Sequence, residues 1–137
     1  MADEEYNFTQ IEQKWQKRWE RDGLFRNKHD DRPPFYVLNM YPYPSGVLHM
    51  GHVLAYTIGD VMVRYKILRG FNVLSPMGWD SFCLPAENAA IRTGIAPHEF
   101  TEKNIARMRD QMKRAGWGYD WSREFATSPV DYYKWTQ

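Results

Sequence analysis

The stretch FYVLNMYPYPSGVLHMGHVLAYTIGD, residues 35–60, decides the fold of this chain. Its start is short, mostly apolar and bounded by prolines, which predicts a buried strand over residues 35–40. Two prolines and a glycine then exclude regular structure. From Gly51 the apolar residues recur at helical spacing, which predicts a helix to about Arg69. The apolar positions of that helix are Leu54, Ile58, Val61, Met62, Tyr65 and Leu68.

A strand, a Pro/Gly turn and a helix in this order place free backbone N–H groups at the edge of a parallel sheet, where phosphates bind. His49 and His52 lie at that turn, three positions apart, so both can donate hydrogen bonds to one anionic ligand. Gly51 has no Cβ, so a flat ring or a phosphate can approach the backbone. Two ordinary loop histidines, or half of a metal site, are the alternatives. Zinc would need further ligands, and none lie nearby, because Cys83 is the single cysteine and His29 and His98 are far off in sequence.

Composition narrows the class of protein further. The 137 residues allow one domain with a real core, and 43% hydrophobic with 16% aromatic residues favour a folded chain. A net charge of only +1 gives no sign of general nucleic-acid binding. One cysteine excludes an internal disulfide and fits a reducing compartment. No apolar run reaches the length of a membrane span, and the acidic residues 1–5 resemble neither a secretory signal nor a transit peptide. We therefore expect a cytoplasmic protein without a membrane partner.

Five blocks follow one another along the chain: PYPSGVLHMGH (residues 42–52), YTIGD (56–60), PMGWD (76–80), LPAENAA (84–90) and GYDWSRE (118–124). Together they resemble the leucyl-tRNA synthetases of the bacterial or organellar type, in class I of the aminoacyl-tRNA synthetases. The resemblance runs from about Tyr6 to Gln137. It implies an α/β fold, the first half of a Rossmann-like nucleotide-binding domain with a parallel sheet, over residues 35–137. An N-terminal amphipathic helix and loop, residues 1–34, precede it.

The resemblance also implies an enzyme, a leucine–tRNA ligase. ATP, with Mg²⁺ held mainly by its phosphates, activates leucine to leucyl-adenylate, and the leucyl group passes to tRNA(Leu). Such a segment opens a much larger enzyme, so the partners include the missing C-terminal half of the catalytic domain and the editing and anticodon-side domains. We expect the isolated segment to be weakly active or inactive, to contain no zinc site, and to have an incomplete sheet that favours self-association.

Residue by residue, the resemblance implies these roles: His49 and His52 for catalysis and phosphate contact, Pro42 and Gly51 for ATP, Met40, Tyr41, Tyr43 and Asp80 for leucine, and Gly46 and Glu87 in support. Chemistry alone agrees for Asp80, because a carboxylate at a strand end is a natural partner for an ammonium. A turn aspartate that binds local N–H groups is the alternative. Tyr41 could serve either the core or the site.

Three positions depart from the family pattern. Leu54 and Ala55 stand where an Arg-Asn pair is usual, which puts the roles of those polar groups in doubt. Cys83 stands where glycine is usual and adds bulk near the site.

Gly59 in the YTIGD block is predicted to permit close packing on the sheet.

The remaining elements follow from periodicity and caps. A helix over residues 9–22 has Thr9 as its N-cap, and Gly23 lies just past its end. A second strand spans residues 72–76, and a short helix spans 85–92. A helix over 100–115 is capped by Thr101, directs Ile105, Met108 and Met112 inward and stops at Gly116, and a last helix is capped by Ser128. Trp15 and Trp19 favour packing over a nucleotide platform, and the basic residues of 100–115 favour a solvated face over a tRNA contact.

Three other functions stay open. The chain could derive from a class I synthetase for valine, isoleucine or methionine, or from a nucleotidyltransferase of the wider fold. It could also be a non-catalytic segment that binds only nucleotide or a partner protein. ATP–pyrophosphate exchange with leucine, compared with isoleucine and valine, separates these possibilities.

Overall fold

A computed structural model describes residues 6–137 of the chain. The acidic residues 1–5, which we predicted to be no targeting signal, lie outside the described residues. Five α-helices and four strands follow one another along the described part: α1 (Phe8–Arg21), β1 (Pro34–Tyr36), α2 (Met50–Leu68), β2 (Asn72–Leu74), β3 (Gly78–Trp79), α3 (Leu84–Thr93), α4 (Pro97–Ala115), β4 (Phe125–Ala126) and α5 (Val130–Tyr133). A short 3-10 helix (Trp121–Arg123) precedes β4. No helix in this part is long and apolar enough to cross a membrane.

All strand pairs are parallel, as predicted. β1 pairs with β2, with Phe35 opposite Val73, and β3 pairs with β4, with Gly78 opposite Phe125. The connection from β1 through α2 to β2 is a strand–helix–strand unit, which requires a helical crossover because neighbouring strands run in the same direction. The α/β class with a parallel sheet is therefore confirmed.

β1 is shorter than the predicted strand over residues 35–40. After Tyr36 only one further ladder bond forms, from the Val37 N–H to the Leu74 carbonyl at 2.9 Å. Val37 is buried, whereas Leu38 and Met40 are exposed, Met40 to 83%. Because side chains alternate between the two faces of a strand, only one face of this segment is covered, and the prediction of a buried strand is wrong for the other face.

α2 packs through a different face from the one that its apolar spacing suggests. Its buried residues are Tyr56, Gly59 and Val63. The predicted apolar positions are all exposed: Leu54, Ile58, Val61, Met62, Tyr65 and Leu68. The reason lies at Gly59, where a Cβ would overlap the side-chain amide of Asn39. The helix therefore approaches the chain after β1 most closely along its glycine face, and the predicted close packing at Gly59 is confirmed.

Two apolar clusters hold these layers together. The larger one joins α2, β3, α4 and the segment after α4, and consists of Tyr56, Met77, Trp79, Ile105, Met108, Met112, Trp117 and Tyr119. It confirms the predicted inward face of α4. Val37, Val63 and Val73 form the smaller cluster between α2 and the first strand pair. Trp79 is a core residue, and its indole N–H donates to the Glu124 carboxylate at 2.7 Å.

Helix starts differ from the predictions, while most helix ends agree. Asn7, not Thr9, caps α1, with its Oδ1 accepting from the Gln10 N–H at 3.1 Å. α4 begins at Pro97, and Thr101 is buried within it. Ser128 does not cap α5; its hydroxyl accepts from the Ser81 hydroxyl at 2.8 Å. A proline or an earlier asparagine supplies the start in these cases, so the first Ser or Thr was the wrong signal.

The tryptophans of α1 differ in their surroundings. Trp19 packs edge-on against Phe25, with ring centroids 5.9 Å apart, in agreement with the packing interpretation. Trp15 is more exposed and lies beside the Arg18 guanidinium. α1 is tied to the end of α4 by the Gln16 amide, which donates to the Arg114 carbonyl at 2.9 Å.

Candidate active site

His49 and His52 form a reciprocal cap at the start of α2. His49 is the N-cap, and its ring Nδ1 accepts from the Gly51 N–H at 3.1 Å. The ring Nδ1 of His52 in turn accepts from the His49 N–H at 3.1 Å. Two imidazoles thus satisfy two N–H groups that a helix start leaves without partners, which is the pattern of a capping box. The spacing His-x-x-His is what makes the arrangement possible.

This cap fixes where the imidazole protons lie. A ring nitrogen that accepts a hydrogen bond carries no proton, so each neutral ring carries its proton on Nε2. Both Nε2–H groups are therefore donors that the cap does not use. Burial, with repulsion from His49 as a smaller cause, lowers the pKa of His52 below its ordinary value. The neutral form, which the cap requires, is thereby favoured.

The two rings lie close enough to serve a single ligand. Their centroids are 3.9 Å apart with the planes tilted by 35°, and His49 is exposed while His52 is half-buried. Gly51 leaves room for the His49 ring, because a Cβ on residue 51 would lie 3.0 Å from that ring. The arrangement offers an anion two N–H donors beside the positive end of a helix dipole.

The loop before His49 is anchored to α4 and to β3. Pro42 is buried, and its carbonyl accepts from the Asp80 N–H at 3.1 Å. The carbonyl of buried Pro44 accepts from the Asn104 amide at 3.1 Å. The Leu48 N–H donates to the Gln111 side chain at 3.2 Å. The carbonyls of the two prolines and the Leu48 N–H thus hold the histidine turn in place relative to Asp80.

Asp80 directly follows β3 and is half-buried. The backbone N–H groups of the next two residues, Ser81 and Phe82, both donate to the Thr127 hydroxyl at 2.9 Å. The alternative role of Asp80, binding local N–H groups of its turn, is therefore taken by Thr127. Within residues 6–137, the Asp80 carboxylate has no hydrogen bond or ion pair, so it is available to a ligand.

The residues predicted to surround the leucine side chain lie partly in the core and partly on the surface. Tyr41, for which both orientations were open, packs edge-on against Phe125 with centroids 5.0 Å apart. Burial, with a hydrogen bond to Tyr36 as a second cause, raises the pKa of Tyr41 to about 12. Met40 and Tyr43 are exposed, so within the described residues they do not form an enclosed pocket with Asp80.

The supporting positions lie near the surface. Gly46 is half-buried in the loop, and a Cβ added to it would meet no atom within 4 Å. Glu87 is exposed in the first turn of α3, where a carboxylate is favourable at a helix start. Cys83 stands at the N-cap of α3, and burial raises the pKa of its thiol. Leu54 and Ala55 both face solvent.

A cavity of about 340 Å³ lies elsewhere, between α1 and the C-terminal end of α4. Its walls include Trp19, Phe25, Trp117 and Trp121, and it contains none of the predicted site residues. In the described part of the chain, no three His, Cys, Asp or Glu side chains come together in a way that could hold a metal ion.

A family model described as tRNA synthetases class I (I, L, M and V) matches residues 14–135 of the chain. The chain belongs to this class I synthetase family. The resemblance to leucyl-tRNA synthetases is confirmed by curated relatives. This synthetase chain is 56% identical over 133 residues to the leucine–tRNA ligase of Nitratidesulfovibrio vulgaris strain DP4, covering 96% of the chain and 16% of the relative. It is also 56% identical to the leucine–tRNA ligase subunit alpha of Aquifex aeolicus, covering 97% of the chain and 21% of that subunit.

A solved structure agrees with the fold. The leucyl-tRNA synthetase of Agrobacterium radiobacter K84, crystallised as a ternary LeuRS–tRNA–LeuAMS complex, is 44% identical, with a TM-score of 0.91. The match covers 93% of this synthetase chain and 16% of that protein. The Rossmann-like class I architecture is therefore confirmed for the described residues. The chain spans about 16% of the length of the full-length relatives it matches.

Proposed function

We propose that this synthetase chain forms the N-terminal part of the leucine-activating site of a leucine–tRNA ligase. The observation that carries the proposal is the reciprocal cap, in which each imidazole binds backbone through Nδ1 and keeps its Nε2–H for a ligand. The leucine–tRNA ligases among its relatives favour leucine over the valine, isoleucine and methionine alternatives. They also favour a ligase over a nucleotidyltransferase or a purely binding segment.

In the proposed reaction, a leucine carboxylate oxygen attacks the α-phosphorus of ATP. An O–P bond forms, the bond from the α-phosphorus to the bridging oxygen breaks, and pyrophosphate leaves with the electron pair. Negative charge grows on the phosphate oxygens during this step. The Nε2–H groups of His49 and His52 donate hydrogen bonds to these oxygens, beside the positive end of the α2 dipole. Donors whose position the fold restricts need little reorganisation as the charge develops.

The substrates are assigned by the family resemblance together with the chemistry of the side chains. The Asp80 carboxylate, which has no partner within residues 6–137, binds the ammonium of leucine, and Met40 and Tyr43 contribute to the wall around its side chain. Tyr41 supports this wall from the core, where it packs against Phe125. Pro42 and Gly51 border ATP, and Gly46 and Glu87 support the site. The tie between the Pro42 carbonyl and the Asp80 N–H supports a joint site, because it links the two substrate regions directly.

The wider assignments rest on the family. Mg²⁺ enters with ATP and is held mainly by the phosphates. The leucyl group passes to a terminal ribose hydroxyl of tRNA(Leu), with the rest of the synthetase supplying the other catalytic and RNA-binding parts. Residues 35–137 form the first half of the catalytic domain, and residues 1–34 form its N-terminal helix and loop. The enzyme works in the cytoplasm, where translation takes place.

ATP–pyrophosphate exchange by the complete enzyme that contains this chain tests the proposal. We expect exchange with leucine to exceed exchange with isoleucine or valine, by about tenfold or more per altered methylene contact. Exchange that prefers another amino acid would assign a different synthetase. Nucleotide binding without exchange for any amino acid would favour the non-catalytic alternative.

A further inference from the structure

The His52 imidazole lies against a second aromatic ring besides His49. Tyr56, one helical turn along α2, stacks on it with centroids 5.7 Å apart and planes 23° from parallel. Residues four apart share a face of a helix, so this contact follows directly from the spacing. Tyr56 is only 2% exposed, which makes it a fixed part of the core and not a mobile surface ring.

The segment after α4 fixes the position of the Tyr56 ring. Trp117 and Tyr119 both meet it edge-on, with centroids at 5.4 Å and 6.3 Å. The Trp117 indole N–H donates to the Thr57 hydroxyl at 3.2 Å. The Tyr119 hydroxyl accepts from the Asn39 amide at 2.9 Å. Edge-to-face pairs are favourable beyond their buried area, and these two are themselves anchored by hydrogen bonds.

The cap alone leaves the His52 ring one rotational freedom. Its bond from the His49 N–H fixes the ring Nδ1, but the ring can still pivot about that nitrogen. A flat neighbour against the imidazole removes this motion and so sets the direction of Nε2–H. We propose that Tyr56 is a positioning residue, whose stacked ring orients His52 toward the phosphates during leucine activation. This inference rests on the proposed function.

The chemistry of Tyr56 suits such a role. Burial raises the pKa of its phenol to about 12, so the ring stays neutral and adds no charge beside His52. Burial likewise raises the pKa of Tyr119. Burial is the larger cause of the lowered pKa of His52, and repulsion from His49 is the smaller one. Tyr56 therefore acts through shape and exclusion of water, which a phenylalanine would preserve.

The test compares two variants of the complete synthetase. Tyr56→Phe keeps the ring, whereas Tyr56→Leu removes it and admits water beside His52. We expect Tyr56→Phe to retain pyrophosphate exchange within about twofold. We expect Tyr56→Leu to lower kcat by about tenfold or more, with little change in KM, because misplacing a reacting contact slows the chemical step. Tyr56→Met replaces Tyr56→Leu if the latter does not fold.

A second readout does not depend on catalysis. Diethyl pyrocarbonate modifies the neutral imidazole, and mass spectrometry identifies modification at His52. The rate of this modification, measured across a range of pH, reports the fraction of His52 that is neutral. We expect the midpoint of this pH profile to rise toward the ordinary value in Tyr56→Leu and to stay unchanged in Tyr56→Phe. Val63→Ala, a buried change farther along α2 in the other cluster, controls for loss of stability and should alter neither readout.

The outcomes separate this inference from the proposed function. Wild-type kcat and an unchanged His52 profile in Tyr56→Leu would overturn the positioning role. So would an equal loss of kcat in Tyr56→Leu and Val63→Ala. If the wild-type enzyme exchanged pyrophosphate with no amino acid, the proposed function would fail. The modification profile would then still show whether the Tyr56 ring shields the His52 imidazole from water.

Discussion

At the scale of single residues, each histidine of the cap divides its two nitrogens between the backbone and a ligand. Each Nδ1 accepts a hydrogen bond from a backbone N–H at the start of α2, and each Nε2–H remains a donor for an anion. The His-x-Gly-His spacing predicted the second role but not the first, because a helix starting at residue 50 was not evident. The sequence suggested a start near Gly51, and only the backbone geometry makes His49 the N-cap.

His49→Ala and His52→Ala, each in the complete enzyme, should slow pyrophosphate exchange by more than about tenfold, since each removes a donor to developing charge. Loss of the cap should cost about 1 kcal/mol of stability. His98→Ala removes an exposed histidine at the start of α4 and should match the wild type in both respects. Wild-type exchange rates in both cap variants would refute the assignment.

The pH dependence of stability follows from the lowered pKa of His52. The unfolded chain binds a proton near pH 6.5, whereas the folded chain binds it only at lower pH. Stability from this group is therefore complete above pH 6.5 and falls as the pH drops from there to the folded pKa. His52→Asn keeps an acceptor without titrating, so its melting temperature should fall less between pH 7 and pH 5. Parallel melting curves would contradict this prediction.

Asp80 is the residue whose role is most directly tested by binding. If its carboxylate holds the leucine ammonium, Asp80→Asn should weaken leucine binding strongly and leave ATP binding nearly unchanged. Loss of one partner of a buried charge pair can cost about 3–5 kcal/mol, and half-burial places the expected loss at the lower end. Calorimetric titration of the complete enzyme measures both ligands, with exposed Asp110→Asn as the matched control. Equal losses for leucine and ATP would make Asp80 a structural residue.

At the scale of elements, periodicity predicted α4 better than α2. The inward residues of α4 recur at regular spacing on an otherwise charged helix, so one face was unambiguous. α2 is apolar on several sides, and its spacing did not show which face packs. The face of α2 that packs is determined by the contact of Gly59 with Asn39, a residue outside the helix. The sequence of the helix marked Gly59 as a place for close packing but could not identify Asn39 as its partner.

Gly59→Ala tests that contact. The added methyl group would overlap the Asn39 amide, which is held by its bond to the Tyr119 hydroxyl. We expect a loss of about 1–2 kcal/mol, since overpacking outweighs the better helix propensity of alanine. Urea unfolding of the dilute 137-residue chain measures it, and Gly46→Ala, where space is open, should be nearly neutral.

A second substitution makes the test sharper. Asn39→Ala removes the obstructing amide, so Gly59→Ala should be much less harmful in its presence, and the two changes should be non-additive. If Gly59→Ala cost the same with Asn39 present or absent, the glycine would matter for some other reason than this approach.

At the scale of the whole molecule, the candidate site depends on contacts between distant parts of the chain. Thr127 binds the backbone beside Asp80, and Pro42 binds Asp80 itself. Resemblance to the synthetases supplied the site residues, and strand–turn–helix order predicted the histidine turn. Neither could indicate Thr127, because a hydroxyl that serves backbone 46 residues away leaves no local pattern.

The distribution of apolar surface predicts how the 137-residue chain behaves alone. Large apolar side chains are exposed along α2 and beside β1, with Leu68 exposed to 86%. Within the described residues both sheets have two strands, so each pair has unpaired outer edges. Exposed apolar patches and open edges favour association. We therefore expect the isolated chain to form oligomers at micromolar concentration in sedimentation velocity.

Two sets of substitutions locate the responsible surface. Leu54→Gln with Val61→Lys places polar groups on the exposed face of α2 and should shift the chain toward monomer. Arg107→Gln with Asp110→Lys changes exposed polar positions of α4 and should leave the association unchanged, because no apolar surface is removed. If the unmodified chain sedimented as a single monomeric species and unfolded cooperatively with about 5–15 kcal/mol, its exposed α2 face would be compatible with an independent domain. The expectation of self-association would then be wrong.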